Sequence, residues 1–128
     1  MSIVIEKSTL KGEITIIPSK SYAHRILICS AFSNQPTKVF NLPLSEDILA
    51  TIDCLKSLGV GFDFVGSDCI VTPTTIKENF CELNVRESGS TLRFFLPIVS
   101  ALGGEYILRQ TSGNFLHHVK GSIHCEYG

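Results

Sequence analysis

Apolar positions follow two rhythms along these 128 residues. Ile26, Leu27, Ile28, Cys29, Ala31 and Phe32 go most of the way round a helix, so a helix over 19–33 is predicted to be buried beyond its first turn. Ile48, Leu49, Ile52, Leu55 and Leu58 form an apolar stripe at helical spacing, which predicts a second helix over 46–58, stopped by Gly59. A third apolar run predicts a helix over 90–102, with Pro97 kinking it or starting a new turn and Gly103-Gly104 ending it. Each helix opens on a serine-containing cap: Ser19 or Ser21, then Ser45-Glu46-Asp47, then the stretch Glu87 to Thr91. Short β-rich runs predict strands at 3–5, 13–17, 37–42, 62–65, 69–72 and 83–85, and a last strand at 105–109. Lys11-Gly12 reads as a turn, Gly66-Ser67-Asp68 as a hairpin, and 74–80 as a polar loop. From Glu13 the order is β-α-β-α-β-β, followed by the start of another such unit, with a weak internal repeat. The fold class is α/β.

Composition sharpens this picture. Hydrophobic residues make up 44% and charged residues 18%, against roughly 25% charged in an average domain, so helices buried on most sides are expected. A net charge of −1 carries no nucleic-acid footprint, so any anion binding must be local. The apolar run 94–104 is shorter than the ~20 residues needed to span a bilayer. Residues 1–11 carry Glu6, Lys7 and Lys11 and read as no signal peptide. Five cysteines without CxxC spacing read as reduced, mostly buried thiols of a cytosolic protein. His117, His118, His124 and Cys125 match no standard metal spacing, and a frayed terminus is the better reading of that end.

Two stretches carry candidate chemistry. Pro18-Ser19-Lys20-Ser21-Tyr22-Ala23-His24-Arg25 passes from a strand to a helix. Pro18 ends the strand, and the helix N-terminus offers unpaired N–H groups and a positive dipole end. Ser21 and Arg25, four apart, share a face, so hydroxyl, ammonium and guanidinium converge where a phosphate or carboxylate fits. The plain alternative is a capped surface helix with two solvated cations. Arg86-Glu87-Ser88-Gly89-Ser90-Thr91-Leu92-Arg93 is a second helix start, with a glycine that admits a ligand close to the backbone and hydroxyls at Ser88, Ser90 and Thr91. Its plain alternative is a serine-capped helix with a loop glycine.

The first stretch resembles the signature P-G-S-K-S-x-x-x-R of the EPSP synthase (3-phosphoshikimate 1-carboxyvinyltransferase) family, with Ser19 at the family's Gly and His24 at a position often Asn. The second resembles N-A-G-T-x-x-R, with Glu87 for Asn and Ser90 for Thr, and Ser45-Glu46-Asp47 resembles the S-D-D segment. The resemblance covers about residues 8–108. It implies transfer of the enolpyruvyl group of phosphoenolpyruvate to the 5-hydroxyl of shikimate 3-phosphate, without metal or organic cofactor. It implies that Ser21 and Arg25 hold shikimate 3-phosphate, and that Lys20 contacts phosphoenolpyruvate and is placed to move a proton as the catalytic residue. Gly89 would give phosphoenolpyruvate a backbone contact, while Asp47, Ser90 and Arg93 support the site.

The same resemblance implies βαβαββ units with buried helices and outward-facing sheets, in a two-domain fold. Residues 1–18 would be strands of the other domain, 19–109 a partial N-terminal substrate-binding domain, and 110–128 a divergent tail. The family is much longer than this chain, and its acid/base carboxylates lie elsewhere, so the piece is expected to be inactive alone and open to self-association. Arg109 is not assigned the family's phosphoenolpyruvate-binding role, because 110–128 replaces the usual loop. The sister enolpyruvyl transferase acting on UDP-N-acetylglucosamine has Lys-Asn at the first signature, and Lys20-Ser21 argues against it. A non-catalytic interaction domain is the remaining alternative. The expected location is the cytoplasm, with no membrane or nucleic-acid partner.

Overall fold

The computed structural model describes residues 2–75, 80–111, 115–120 and 124–127; of Phe80 and of the segments after Thr111 only the backbone is described. The helices start where their caps predict. Ser19 caps α1 (Lys20–Ala31), with its Oγ accepting from the Tyr22 N–H at 3.3 Å. Ser45 caps α2 (Glu46–Ser57), and Ser88 caps α3 (Gly89–Leu102). At the far end of α2, Val60 N–H donates to Leu55 O and Gly59 N–H to Lys56 O, with Gly59 at φ +99°. This double closure needs a left-handed residue after the helix, which glycine supplies. Pro97 does not divide α3; it lies on the exposed side of one continuous helix.

The strands form two sheets. β1 (Thr37–Val39), β2 (Gly61–Val65) and β3 (Asp68–Thr72) make an antiparallel sheet in the order β1-β3-β2. The β2–β3 hairpin closes through Gly66 at φ +62°, the backbone a two-residue turn requires. β4 (Phe80–Arg86) pairs in parallel with β5 (Glu105–Gln110), α3 making the crossover. A register shift between Asn84 and Arg86 marks a bulge at the end of β4, just before α3. α2 bridges the two sheets, packing on both β2 and β4, while α1 packs on β3 and α2, and α3 on β4 and β5. Leu27, Ile48, Ile52, Leu55, Val71, Leu83, Val85, Phe95, Val99 and Leu108 fill the core at 0–1% exposure. Burying each such apolar side chain contributes about 1.5–3 kcal/mol, and this layered α/β core matches the expected fold class.

Several expectations fail. Residues 2–19 contain no strand, although 3–5 and 13–17 are rich in β-branched residues; Ile3, Ile5, Ile14 and Ile16 are each more than 80% exposed. A strand needs a neighbour for its ladder, and no described element pairs with these residues. β1 stops at Val39, short of the predicted 42, and β4 is longer than 83–85. α1 is not buried all round: Cys29 is exposed, Ile26 and Ile28 are half-buried and Phe32 is 41% exposed. Cys54 and Cys69 are buried thiols, as expected; burial pushes the Cys54 thiol up to about 12 and that of Cys69 above its usual value. β5 is not the last strand. β6 (Phe115–Lys120) and β7 (His124–Tyr127) extend the sheet in the order β4-β5-β6-β7, with His117 opposite Leu108 and Lys120 opposite Glu105, so the backbone there is not frayed. Ladder hydrogen bonds to β5 supply what the sequence of that segment did not announce. Of the predicted loop, 76–79 lies outside the described residues.

Candidate functional site

The first turns of all three helices face one cleft of about 480 Å³, lined by Lys20, Ser21, His24, Arg25, Asp47, Ser90, Arg93 and Phe94. Six of the seven sequence-predicted site residues are among them. Gly89, the seventh, is the first residue of α3; its carbonyl accepts from Arg93 Nε at 3.2 Å, and a side-chain carbon built on it would meet nothing within 4 Å. The backbone there is open to close approach by a ligand.

Local sequence explains the convergence. One helical turn separates Ser21 from Arg25, and Arg25 Nη1 donates to Ser21 Oγ at 2.9 Å. The Arg25 guanidinium also lies 5.8 Å over the Phe94 ring, which ties α1 to α3. Lys20 Nζ stands 3.9 Å from Asp47 Oδ2, an open pair with side chains 60% and 45% exposed, so its contribution to stability is small. The acids Glu46 and Asp47 occupy the first turn of α2, whereas α1 and α3 have none there. The positive ends of α1 and α3 are therefore left for an external anion. Three cations against one carboxylate give the cleft the local positive charge that the whole chain lacks.

Below the cleft lies a buried polar chain. His24 Nδ1 is 2.7 Å from Thr51 Oγ1, Thr51 Oγ1 is 2.9 Å from Thr91 Oγ1, and Thr91 Oγ1 is 2.7 Å from Ser88 Oγ. The Thr91 hydroxyl also reaches the Asp47 carbonyl at 3.3 Å, and Ser88 Oγ accepts from the Thr91 N–H at 3.1 Å. All four residues are buried. Burial pushes the His24 imidazole below its usual value of 6.5; Asp47 opposes this and Lys20 adds to it. Of the three hydroxyls of the second stretch, only Ser90 lines the cleft, while Ser88 and Thr91 turn into this chain.

Sequence reasoning passed over Thr51 and assigned no role to Arg86. Thr51 sits three residues from Ile48 and four from Leu55, so a polar group on the buried stripe was the available signal. Arg86 Nη1 bonds Glu46 Oε2 at 2.9 Å and Arg86 Nη2 bonds Asp53 Oδ2 at 2.5 Å, so it clamps α2 to the turn that starts α3. Glu87 stays out of the cationic cleft and lines a neighbouring one with Glu46, Asp47, Arg86, Ser88 and Thr111. Arg109 Nε is held by Glu82 Oε1 at 2.6 Å across β4 and β5. Among the described residues no group of His, Cys, Asp and Glu is placed to hold a metal ion. No described helix is long and apolar enough to cross a membrane.

Fold and cleft together define an α/β domain with a cationic, hydroxyl-rich cleft walled by three helix ends. The model of the EPSP synthase (3-phosphoshikimate 1-carboxyvinyltransferase) family matches residues 4–110. A 3-phosphoshikimate 1-carboxyvinyltransferase of Clostridium perfringens is 41% identical over 98 residues, covering 75% of this chain and 23% of its own length. One from Clostridium beijerinckii is 40% identical over 111 residues, covering 80% and 26%. Among solved structures, EPSP synthase from Acinetobacter baumannii superposes with a TM-score of 0.67 at 21% identity, over 77% of this chain and 23% of that one, a likeness of fold. The chain belongs to the EPSP synthase family. It spans about a quarter of the length of the curated relatives it matches.

Proposed function

We propose that the cleft is part of the substrate site of a 3-phosphoshikimate 1-carboxyvinyltransferase and binds shikimate 3-phosphate. The observation that carries this is the meeting of Lys20, Ser21, Arg25, Ser90 and Arg93 in one cleft from two separate sequence stretches. Ser21 and Arg25, already hydrogen-bonded to each other, present a hydroxyl and a guanidinium to the phosphate. Lys20 faces phosphoenolpyruvate and is the proton-moving group, with Asp47 beside it. Gly89 offers its backbone to phosphoenolpyruvate, and Ser90 and Arg93 support the site. In the reaction, the 5-hydroxyl of shikimate 3-phosphate gives up its proton as its oxygen adds to C2 of phosphoenolpyruvate and C3 gains a proton. The tetrahedral adduct then loses phosphate from C2 and a proton from C3. Clustered cations and helix ends stabilise anions throughout.

On this reading these 128 residues by themselves bind substrate and do not turn it over, because among the described residues the cleft holds a single carboxylate, Asp47. The exposed apolar residues within 2–17 belong with the other domain, and left uncovered they favour self-association, which mass measured against concentration tests. The reaction takes place in the cytoplasm. Calorimetric titration with shikimate 3-phosphate, beside Arg25→Ala and inorganic phosphate, tests the main reading. Saturable binding lost in Arg25→Ala and not mimicked by phosphate supports it; a folded chain that binds nothing removes it.

A further inference from the structure

We infer that His24 is a positioning residue: through Thr51, Thr91 and Ser88 it sets how the three helix ends stand around the cleft. The inference rests on the substrate-site reading above. Each link of the chain adjoins a cleft residue. His24 itself lines the cleft and precedes Arg25; Thr91 follows Ser90; Thr51 lies one turn beyond Asp47, whose carbonyl the Thr91 hydroxyl reaches at 3.3 Å. The bonds cross from α1 to α2 at 2.7 Å and from α2 to α3 at 2.9 Å.

The apolar packing around the chain is non-directional, whereas the hydrogen-bonded chain fixes a geometry, because moving one helix strands a buried hydroxyl. The imidazole is held on two sides, its Nδ1 by Thr51 and its ring by Phe94 at 5.9 Å between centroids. Arg25 lies over the same Phe94 ring, so displacement of His24 moves the surface on which the guanidinium rests. Lys20, Arg25, Asp47 and Arg93 are the charged groups around it from the three helices.

Two substitutions separate the hydrogen bond from the ring. In His24→Asn the amide nitrogen stands as far from Cβ as Nδ1 does and reaches Thr51; in His24→Phe the ring stays and the bond goes. Thr51→Val removes the same bond from the other side. Shikimate 3-phosphate affinity of the purified chain is measured by calorimetry for each, scaled to the folded fraction, with Val39→Ala in β1, outside the cleft and the hydrogen-bonded chain, as a control for lost stability. The expected result is a five- to tenfold loss in His24→Phe and Thr51→Val, no additivity when both are combined, and affinity within about threefold of wild type in His24→Asn and Val39→Ala. Wild-type affinity in folded His24→Phe, or a loss in His24→Asn equal to that in His24→Phe, overturns the positioning role alone. A wild-type chain that binds nothing overturns the substrate-site reading and this inference with it.

Discussion

Thr51 Oγ1 lies 2.9 Å from Thr91 Oγ1, although 40 positions separate the two residues and both are fully buried. The contact joins the interior helix α2 to the start of α3, directly beneath residues that face the cleft. Its surroundings determine how the protein responds to acid, because the other partner of Thr51 is an imidazole.

Acid should destabilise the fold through His24. In the unfolded chain this histidine takes up a proton near pH 6.5, whereas burial holds the folded imidazole below that value. Between the two values the unfolded state binds more protons, so stability falls as pH drops below about 6.5 and ceases to fall once the folded group also protonates. Above 6.5 both states are neutral and His24 adds no pH dependence. Urea midpoints from pH 7.5 to 5 should fall more steeply in wild type than in His24→Asn; parallel profiles would count against the shift.

Arg25→Ala should separate binding from stability. The side chain is exposed, and its bonds to Ser21 and Phe94 lie at the surface, so the loss in stability should stay under about 1 kcal/mol. Losing a charge-assisted contact to a phosphate should cost ~1.5–3 kcal/mol, or about 10- to 150-fold in affinity. Thermal unfolding and calorimetry on one preparation test both halves.

At Arg86 the larger change should be the milder one. The residue sits at φ +52°, where any side chain is strained, and it holds Glu46 and Asp53. Arg86→Ala and Arg86→Gly both release those acids, but only glycine relieves the backbone. Denaturant titration should find the glycine variant more stable than the alanine variant by about 0.5–1 kcal/mol.

Phe95→Ala should be severe. Phe95 is 0% exposed in the core between α3 and the larger sheet, so truncation leaves a cavity and costs about 3–5 kcal/mol. A denaturant midpoint within experimental error of wild type would contradict this packing.

Thiol reactivity should divide the cysteines. Cys29 is exposed on α1, whereas Cys54 is buried with its thiol pushed up to about 12. A thiol-reactive dye at pH 7.5 should modify Cys29 in the native protein and Cys54 only after unfolding, as peptide mapping would show.

The helices were legible because their signals are local. Caps at Ser19, Ser45 and Ser88, the stripe through Ile48, Ile52 and Leu55, and Gly59 all act within a few residues, and their positions hold. The cleft was legible for the same reason, since Lys20, Ser21 and Arg25 lie within one and a half turns of α1 and Ser90 and Arg93 within one turn of α3. Strands were legible where a hairpin made the pairing local, as between Phe64 and Cys69. They were misread where the partner is remote or missing. Ile14, Ile16 and Ile17 have the β-branched character of a strand and pair with nothing described, while β6 finds β5 across a segment that looked structureless. The buried chain from His24 to Ser88 links three helices and the cap of the third, and beyond a threonine on the buried stripe of α2 nothing local announces such a link.

The parallel pairing of β4 with β5 also bears on synthesis at the ribosome. Every residue lining the cleft has been made once Phe94 is added, yet β4 has no parallel partner until Gln110 has followed. α3 lies on the sheet which that pairing creates. A nascent chain paused between these two points carries all the cleft side chains but lacks the surface that seats the third helix. Affinity for an anion should therefore arise late and abruptly during elongation, as chains released at successive lengths would reveal.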